Sequence, residues 1–165
     1  MEIKATLNKP YNEADKLNFF VTNIHQLGYE IKETQTALEA WGYTDEENLL
    51  KTKTSKIEEA LNKAYDYEQN GTVEYKNCVF EMSLSNRQNL KDTVEALTAL
   101  SETSTMWNDK DDNLVELTIE DIQHIRLKLI LGNIQELWIE KYPAYLKQIN
   151  KAQTVEEVNS IVINY

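Results

Sequence analysis

The sequence predicts an α+β fold, mainly helical, and three observations carry that reading. A long apolar-periodic run follows a capping pair at Thr118 and Asp121. Thr72 to Met82 alternates with period two, and Thr105 to Trp107 and Leu114 to Leu117 flank an acidic turn as a second hairpin. A strand, a helix and two further strands fit the first forty or so residues. The resulting division is a small β-α-β-β unit over 1–43, a connecting helix over 44–71, and a domain over 72–165. That last part consists of two short β-hairpins packed on a helix and one long helix.

In the first unit, Glu2 to Leu7 alternates as a strand that Lys9-Pro10 ends. Asn12 caps a helix with Asp15 at the reciprocal position, and Leu17, Phe20, Val21, Ile24 and Leu27 form the stripe it should bury. Gly28 stands where a left-handed C-terminal residue belongs. Tyr29 to Glu33 and Ala37 to Trp41 read as two strands. A unit of this size leans on the rest of the chain. Thr44 and Glu47 then form a capping box for a helix that Asn70-Gly71 stops. Its stripe is Leu50, Ile57, Ala60, Leu61 and Ala64, and Lys51, Lys53 and Lys56 interrupt its first half, so only the later turns should pack.

Lys76-Asn77 supplies a tight turn between Val73 to Tyr75 and Cys78 to Met82. Ser85 with Gln88 opens a helix carrying Leu90, Val94, Leu97 and Leu100, and Ser101 to Ser104 ends it. Thr105 to Trp107 and Leu114 to Leu117 flank an acidic turn as the second hairpin. From about Ile119 the long helix runs to Lys151, about 50 Å if unbroken. Leu127, Leu131, Ile134, Trp138, Tyr142, Tyr145, Ile149 and Ala152 form one stripe, and Ile122, Ile125 and Leu129 form a second on the first turns. Pro143 predicts a kink near Glu140 or a fresh start with the proline in the first turn. Thr154 and Glu157 cap a short last helix, and Val162 to Tyr165 reads as extended.

Composition narrows the function. The chain has 165 residues, with 41% apolar and 27% charged side chains, which is ordinary globular material. A net charge of -11 argues against nucleic acid or an anionic membrane as partner, since either needs a basic patch. No apolar run approaches the roughly 20 residues of a membrane span, and the N-terminus lacks the apolar segment of a secretion signal, which predicts a cytoplasmic chain at synthesis. Cys78 is the single cysteine, so neither an internal disulfide nor a cysteine metal site is predicted.

The sharpest chemical candidate is Asp109, Asp111, Asn113 and Glu120, which fall at positions 1, 3, 5 and 12 of a calcium-binding EF-hand loop. Leu114 stands where that loop needs glycine, Glu116 where it needs an apolar residue, and Trp107 precedes it in a strand instead of a helix. A solvated hairpin turn explains the same acids more simply. His25 and His124 lack histidine or cysteine partners at zinc spacing. Glu46-Glu47, Glu58-Glu59 and Glu156-Glu157 occupy helix first turns or exposed faces, where acids are solvated or favour the dipole. No phosphate loop or nucleophile elbow occurs, and no cofactor is implied. Trp138, Tyr142 and Tyr145 read as core or interface aromatics more readily than as a ligand platform. Either they are left for another chain, or the helix from Asp45 folds back and covers them.

Tyr75 to Phe80, Ser85-Asn86-Arg87, Met106-Trp107, Asp112-Asn113, Leu117-Thr118, Asp121-Ile122, Lys147 to Ala152 and Thr154 to Val158 together resemble a domain family of unknown function. Its members are encoded in phage and prophage tail modules, often near tail-fibre genes. The similarity spans residues 73–163, with Pro143 a departure from the pattern, and Lys4 to Trp41 is similar to short modules at the start of phage tail proteins. The resemblance implies a non-catalytic structural or assembly protein of a phage tail, of its baseplate or fibre region, or of a phage-like particle. Its partners would be other tail or tail-fibre proteins, or further copies of itself, met in the host cytoplasm during assembly or in the particle. The family supplies no catalytic residues to carry over. Two other readings stay open: a tail-fibre assembly chaperone absent from the mature particle, and a small regulatory or binding module with a degenerate calcium loop.

Overall fold

In the computed structural model, which describes residues 1–165, seven strands and five helices make an α+β fold dominated by helix. The chain opens with β1 (Glu2–Asn8), α1 (Glu13–Phe20, continued by a wider π-wound turn Val21–Gln26), β2 (Glu30–Glu33) and β3 (Ala37–Gly42). These strands form an antiparallel sheet in the order β1-β3-β2, and Ala37, Leu38 and Ala40 of its central strand are buried. The predicted caps are in place. Asn12 accepts the Asp15 N–H at 2.8 Å, and Gly28 closes α1 at φ +68°.

The stripe of α1 is where expectation and structure part. Leu17 is 64% exposed, Val21 39%, Ile24 38% and Leu27 53%, so of the face predicted to be buried only Phe20 is half-buried and the rest lies in solvent. What α1 buries is Asn23, whose Nδ2 donates to the Phe19 carbonyl at 2.8 Å and whose own carbonyl accepts the Tyr29 N–H at 2.7 Å. That second bond ties the wide turn to the start of β2 and sets the roll of the helix. Lys16, Phe19 and Asn23 therefore turn inward in place of the leucine and isoleucine.

Both halves of the Thr44/Glu47 capping box are formed at the start of α2 (Asp45–Asn70), and Ala60 and Ala64 are its buried residues. Gly71 follows because nothing larger fits: a Cβ there would overlap the Met82 methyl and the Tyr67 carbonyl. Next come β4 (Thr72–Tyr75) and β5 (Cys78–Glu81), joined by Lys76 and Asn77 at φ +51° and +61°, the two left-handed residues of a tight hairpin. The following helix, α3 (Leu84–Leu100), starts ahead of the predicted Ser85/Gln88 pair. Ser83 caps it instead, accepting the Asn86 N–H at 3.3 Å, while Asn86 Nδ2 donates to the Glu81 carbonyl at 2.6 Å. Then β6 (Ser104–Asn108) and β7 (Leu114–Thr118) form the second hairpin.

The long helix α4 opens on the Thr118/Asp121 capping box and continues to Lys151. Regular turns over Ile119–Gln123, Leu131–Glu136 and Tyr142–Lys151 alternate with wide π turns over His124–Ile130 and Leu137–Lys141. Each wide turn takes an extra residue, so the buried line advances by five there. Ile122, Ile125, Ile130, Ile134, Leu137, Tyr142, Tyr145, Ile149 and Ala152 thus share one side, all buried or half-buried. Leu127, placed in the stripe by uniform periodicity, is 48% exposed. Pro143 neither breaks nor ends the helix, because backbone angles stay helical through Lys141 and Tyr142. The wide turn just ahead of it makes room for a ring that crowds a regular turn. The proline lies in the first turn of the last regular segment, with no break in the helix ahead of it.

After α4 come α5 (Val155–Ser160), capped by Thr154, and a tail, residues 161–165, that forms no strand yet buries Ile163. The main core joins Val73, Phe80, Met82, Leu90, Leu97, Leu117, Ile122, Ile125 and Ile130, with Trp107 and Leu129 packed on its edge. A second, smaller seam joins Ala60 of α2, Ile149 of α4 and Ile163 of the tail.

Candidate functional site

Three places bear on function: the acidic turn between β6 and β7, the aromatic side of distal α4, and the bare face of α1.

In the acidic turn, the Asp109 carboxylate is buried and aimed at nitrogen donors. Its Oδ1 accepts the N–H groups of Asp111 at 2.9 Å and Asn113 at 2.8 Å, and its Oδ2 accepts the Val79 N–H at 3.2 Å. Asn113 Nδ2 donates to both oxygens at 3.2 and 3.1 Å. Burial pushes the Asp109 pKa up, but the bonds from Asn113, Val79 and Asp111 outweigh it and hold the group below the usual carboxylate range. A shell of N–H donors has the polarity opposite to a calcium shell. Asn113 spends its side chain on Asp109, and Glu120 lies beyond β7 in the first turn of α4. The four candidate ligands are not gathered. Asp109 instead ties this turn to β5, since Lys110 N–H also donates to the Val79 carbonyl at 2.9 Å.

Asp121 plays a similar part at the head of α4. It accepts Lys76 Nζ at 2.7 Å, the Tyr75 hydroxyl at 2.7 Å and the Thr118 N–H at 3.0 Å. The Lys76 ammonium first, with the Thr118 N–H and Tyr75 hydroxyl, holds its pKa well below the usual range against the opposing effect of burial. His124 stacks on Tyr75 with ring centroids 5.1 Å apart. His25 is exposed on α1. Cys78 is a free, half-buried strand residue packed against the main core. No three His, Cys, Asp or Glu side chains come together in a way that would hold a metal ion. A hollow of about 610 Å³ lies between the first turns of α2 and α5 and is lined by Asp45, Glu46 and Glu156 beside Leu49 and Val155. Its acids lie in the first turns of these helices, where they favour the dipole.

Trp138, Tyr142 and Tyr145 come together, and the chain itself covers them. Trp138 packs between Tyr65 at 5.3 Å and Tyr142 at 5.5 Å, and its Nε1 donates to Glu68 at 2.8 Å. Glu68 also accepts Arg87 Nη2 at 3.2 Å, so one carboxylate links α2, α3 and α4. Tyr145 meets the Tyr165 ring edge-on at 5.4 Å, and its hydroxyl donates to the Asn164 carbonyl at 2.8 Å. Tyr165 donates in turn to the Ala60 carbonyl at 3.0 Å, and burial pushes its pKa up to about 12. Lys53 donates to the Asn150 carbonyl at 2.9 Å, capping the open C-terminal end of α4, and Lys63 to the Ile163 carbonyl at 3.1 Å. Of the lysines that interrupt the stripe of α2, Lys53 is thus part of its contact with α4. Of the two readings of this stripe, the fold-back of α2 is the one present, with the tail beside it.

The face left without cover is that of α1. Sequence reasoning identified its apolar residues but placed them inside. A signal was present in Asn23, a polar residue on the helix side next to the stripe, which the sheet buries in place of Val21 and Ile24. Comparison with known proteins adds no relative: no family model matches the chain, and neither a curated protein nor a solved structure matches it significantly.

Proposed function

We propose that this protein is a non-catalytic structural or assembly component of a phage tail or phage-like particle and works through protein–protein contacts. The observation that carries the reading is the bare stripe of α1. The apolar face of α4 is covered within the chain, whereas Leu17, Val21, Ile24 and Leu27 stay in water. Four exposed apolar side chains on one short helix of an otherwise strongly acidic chain support a binding role for this surface. The motif residues from Tyr75 to Val158 that resemble the tail-module family supply the biological setting. Partners in this reading are tail or tail-fibre proteins, or copies of the chain.

Mass spectrometry of purified particles from producing cells tests it. The protein is expected in the particle at stoichiometric amounts, and Ile24→Asp should lower its incorporation. Recovery with tail-fibre proteins in lysates but not in particles assigns the chaperone role instead. Absence from both overturns the proposal.

A further inference from the structure

We infer that the groove between α2 and α4 is a docking site for an extended segment of a partner protein, and that residues 161–165 are its resident, displaceable occupant. The inference goes beyond the proposed function, since it assigns a second site that the α1 surface does not include. The tail is held as a bound peptide is held. Its residues alternate, with Ile161, Ile163 and Tyr165 turned to the groove and Val162 and Asn164 to water. Residues 162–165 take part in no backbone–backbone hydrogen bond. Groove side chains hold the backbone instead. Lys63 Nζ donates to the Ile163 carbonyl at 3.1 Å, and the Tyr145 hydroxyl donates to the Asn164 carbonyl at 2.8 Å while accepting the Asn164 N–H at 3.0 Å. Grooves that dock extended peptides divide the task in this way, with main-chain bonds for affinity and pockets for alternate side chains for specificity.

The walls of the groove are joined without the tail. Beyond one end Lys53 of α2 bonds the Asn150 carbonyl of α4, and beyond the other Trp138 packs on Tyr65 and donates to Glu68. Between these ties, Ile163 is buried against Ala60 and Ile149, in a cluster that shares no buried residue with the main core. The Tyr165 ring lies between Tyr67 at 6.4 Å and Tyr145 at 5.4 Å, and its hydroxyl reaches the Ala60 carbonyl at 3.0 Å. Release of the tail is therefore a local opening that leaves the main core closed. The occupant defines the chemistry of whatever replaces it. A matching partner segment is extended, with aliphatic side chains at its first and third positions and a phenol at its fifth.

Fluorescence anisotropy of a labelled, amidated peptide with the sequence of Ile161 to Tyr165, titrated with the full chain, tests the inference. The tail competes for the groove at an effective concentration on the order of millimolar. Ile163→Asp in the chain, which expels the tail, should therefore raise its affinity for the peptide at least about tenfold, with unchanged circular dichroism. Adding Tyr145→Phe, which keeps the ring and removes both bonds to Asn164, should weaken that binding, and a peptide carrying the Ile163→Asp change should not bind. A folded Ile163→Asp chain that ignores the peptide, or equal binding by the altered and unaltered chains, overturns the inference. Should Ile163→Asp disturb the main core, Tyr165→Ala carries the same test. Loss of the main core in both variants would make the tail part of the fold and overturn the inference as well. The α1 reading is separable: a chain found in particles with an unresponsive groove keeps the proposed function, and a responsive groove in a chain absent from particles and tail-fibre proteins keeps this site and defeats that function.

Discussion

The head of α4 and the whole of α1 are both amphipathic helices with a wide turn, yet one is enclosed and the other is half bare. Around Ile125, two hairpins and α3 close over the first turns of α4, and Ile122, Ile125 and Ile130 have no exposed surface. Around Ile24, a three-stranded sheet covers only the side of α1 that holds Phe19 and Asn23. An apolar stripe states a demand for cover, and only the neighbouring elements decide whether that demand is met within the chain. The enclosed region should hold the stability of the fold, and the bare one should be nearly free to change.

The largest expected effect breaks the comparison most directly. Ile125→Ala should cost about 2 to 5 kcal/mol in chemical denaturation, because the side chain is wholly enclosed. A loss within about 0.5 kcal/mol would place Ile125 with the surface residues and remove the contrast. Next is the joint between α2, α3 and α4. Glu68→Ala removes the partner of both Arg87 and Trp138 and should cost roughly 1.5 to 3 kcal/mol, the range for a lost hydrogen bond to a charged group. Blue-shifted Trp138 emission with unchanged stability would show that the joint carries no load.

The pH dependence should separate two parts of the enclosed region. Asp109 and Asp121 have folded pKa values below their unfolded ones, so their contribution is complete above about pH 4 and is lost as pH falls further. Tyr165 moves the other way. Its phenol is raised to about 12 from an unfolded value of about 10, so its contribution is complete below about pH 10 and is lost between there and pH 12. Hydrogen exchange at alkaline pH should open the seam of α2 and the tail ahead of the main core. Simultaneous loss of both would mean that Tyr165 does not hold the seam.

Smaller effects belong to the bare face. Leu17→Ala and Ile24→Ala, measured in dilute protein, should change stability by no more than about 0.5 kcal/mol. A loss above about 2 kcal/mol would show α1 to be covered after all. Smallest of all, millimolar calcium should leave the melting temperature and tryptophan spectrum unchanged, since Asp109 is engaged by N–H groups. A saturable shift lost in Asp109→Ala would reverse that assignment.

Much of the fold was legible where the determining interactions are local. Thr44 with Glu47, Thr118 with Asp121, Thr154 with Glu157 and the Lys76-Asn77 turn each act within a few residues, and each forms at its predicted place. Ser83 was missed because Ser85 offers the same chemistry two residues on, and only the Asn86 bond to Glu81 selects between them. The stripe of α4 went out of phase because a uniform period passes over the five-residue steps from Ile125 to Ile130 and from Leu137 to Tyr142. At the candidate sites, residue types were readable and engagements were not. The role of Asp109 depends on Val79, thirty residues away, and the cover on Tyr145 depends on Asn164 and Tyr165.

The bond from Tyr165 to Ala60 spans 105 residues, and this separation has a consequence for how the chain leaves the ribosome. At roughly 5 to 20 residues per second, α2 waits about 5 to 20 s for the segment that seals it. A leucine-rich face held open for that time would invite aggregation. The waiting face of α2 is instead centred on Ala60 and Ala64 with Ile57 beside them, flanked by Lys53, Lys56 and Lys63, and its N-terminal turn is already closed by a capping box that needs nothing downstream. Small side chains and lysines let the nascent helix persist in water until α4 and the tail arrive.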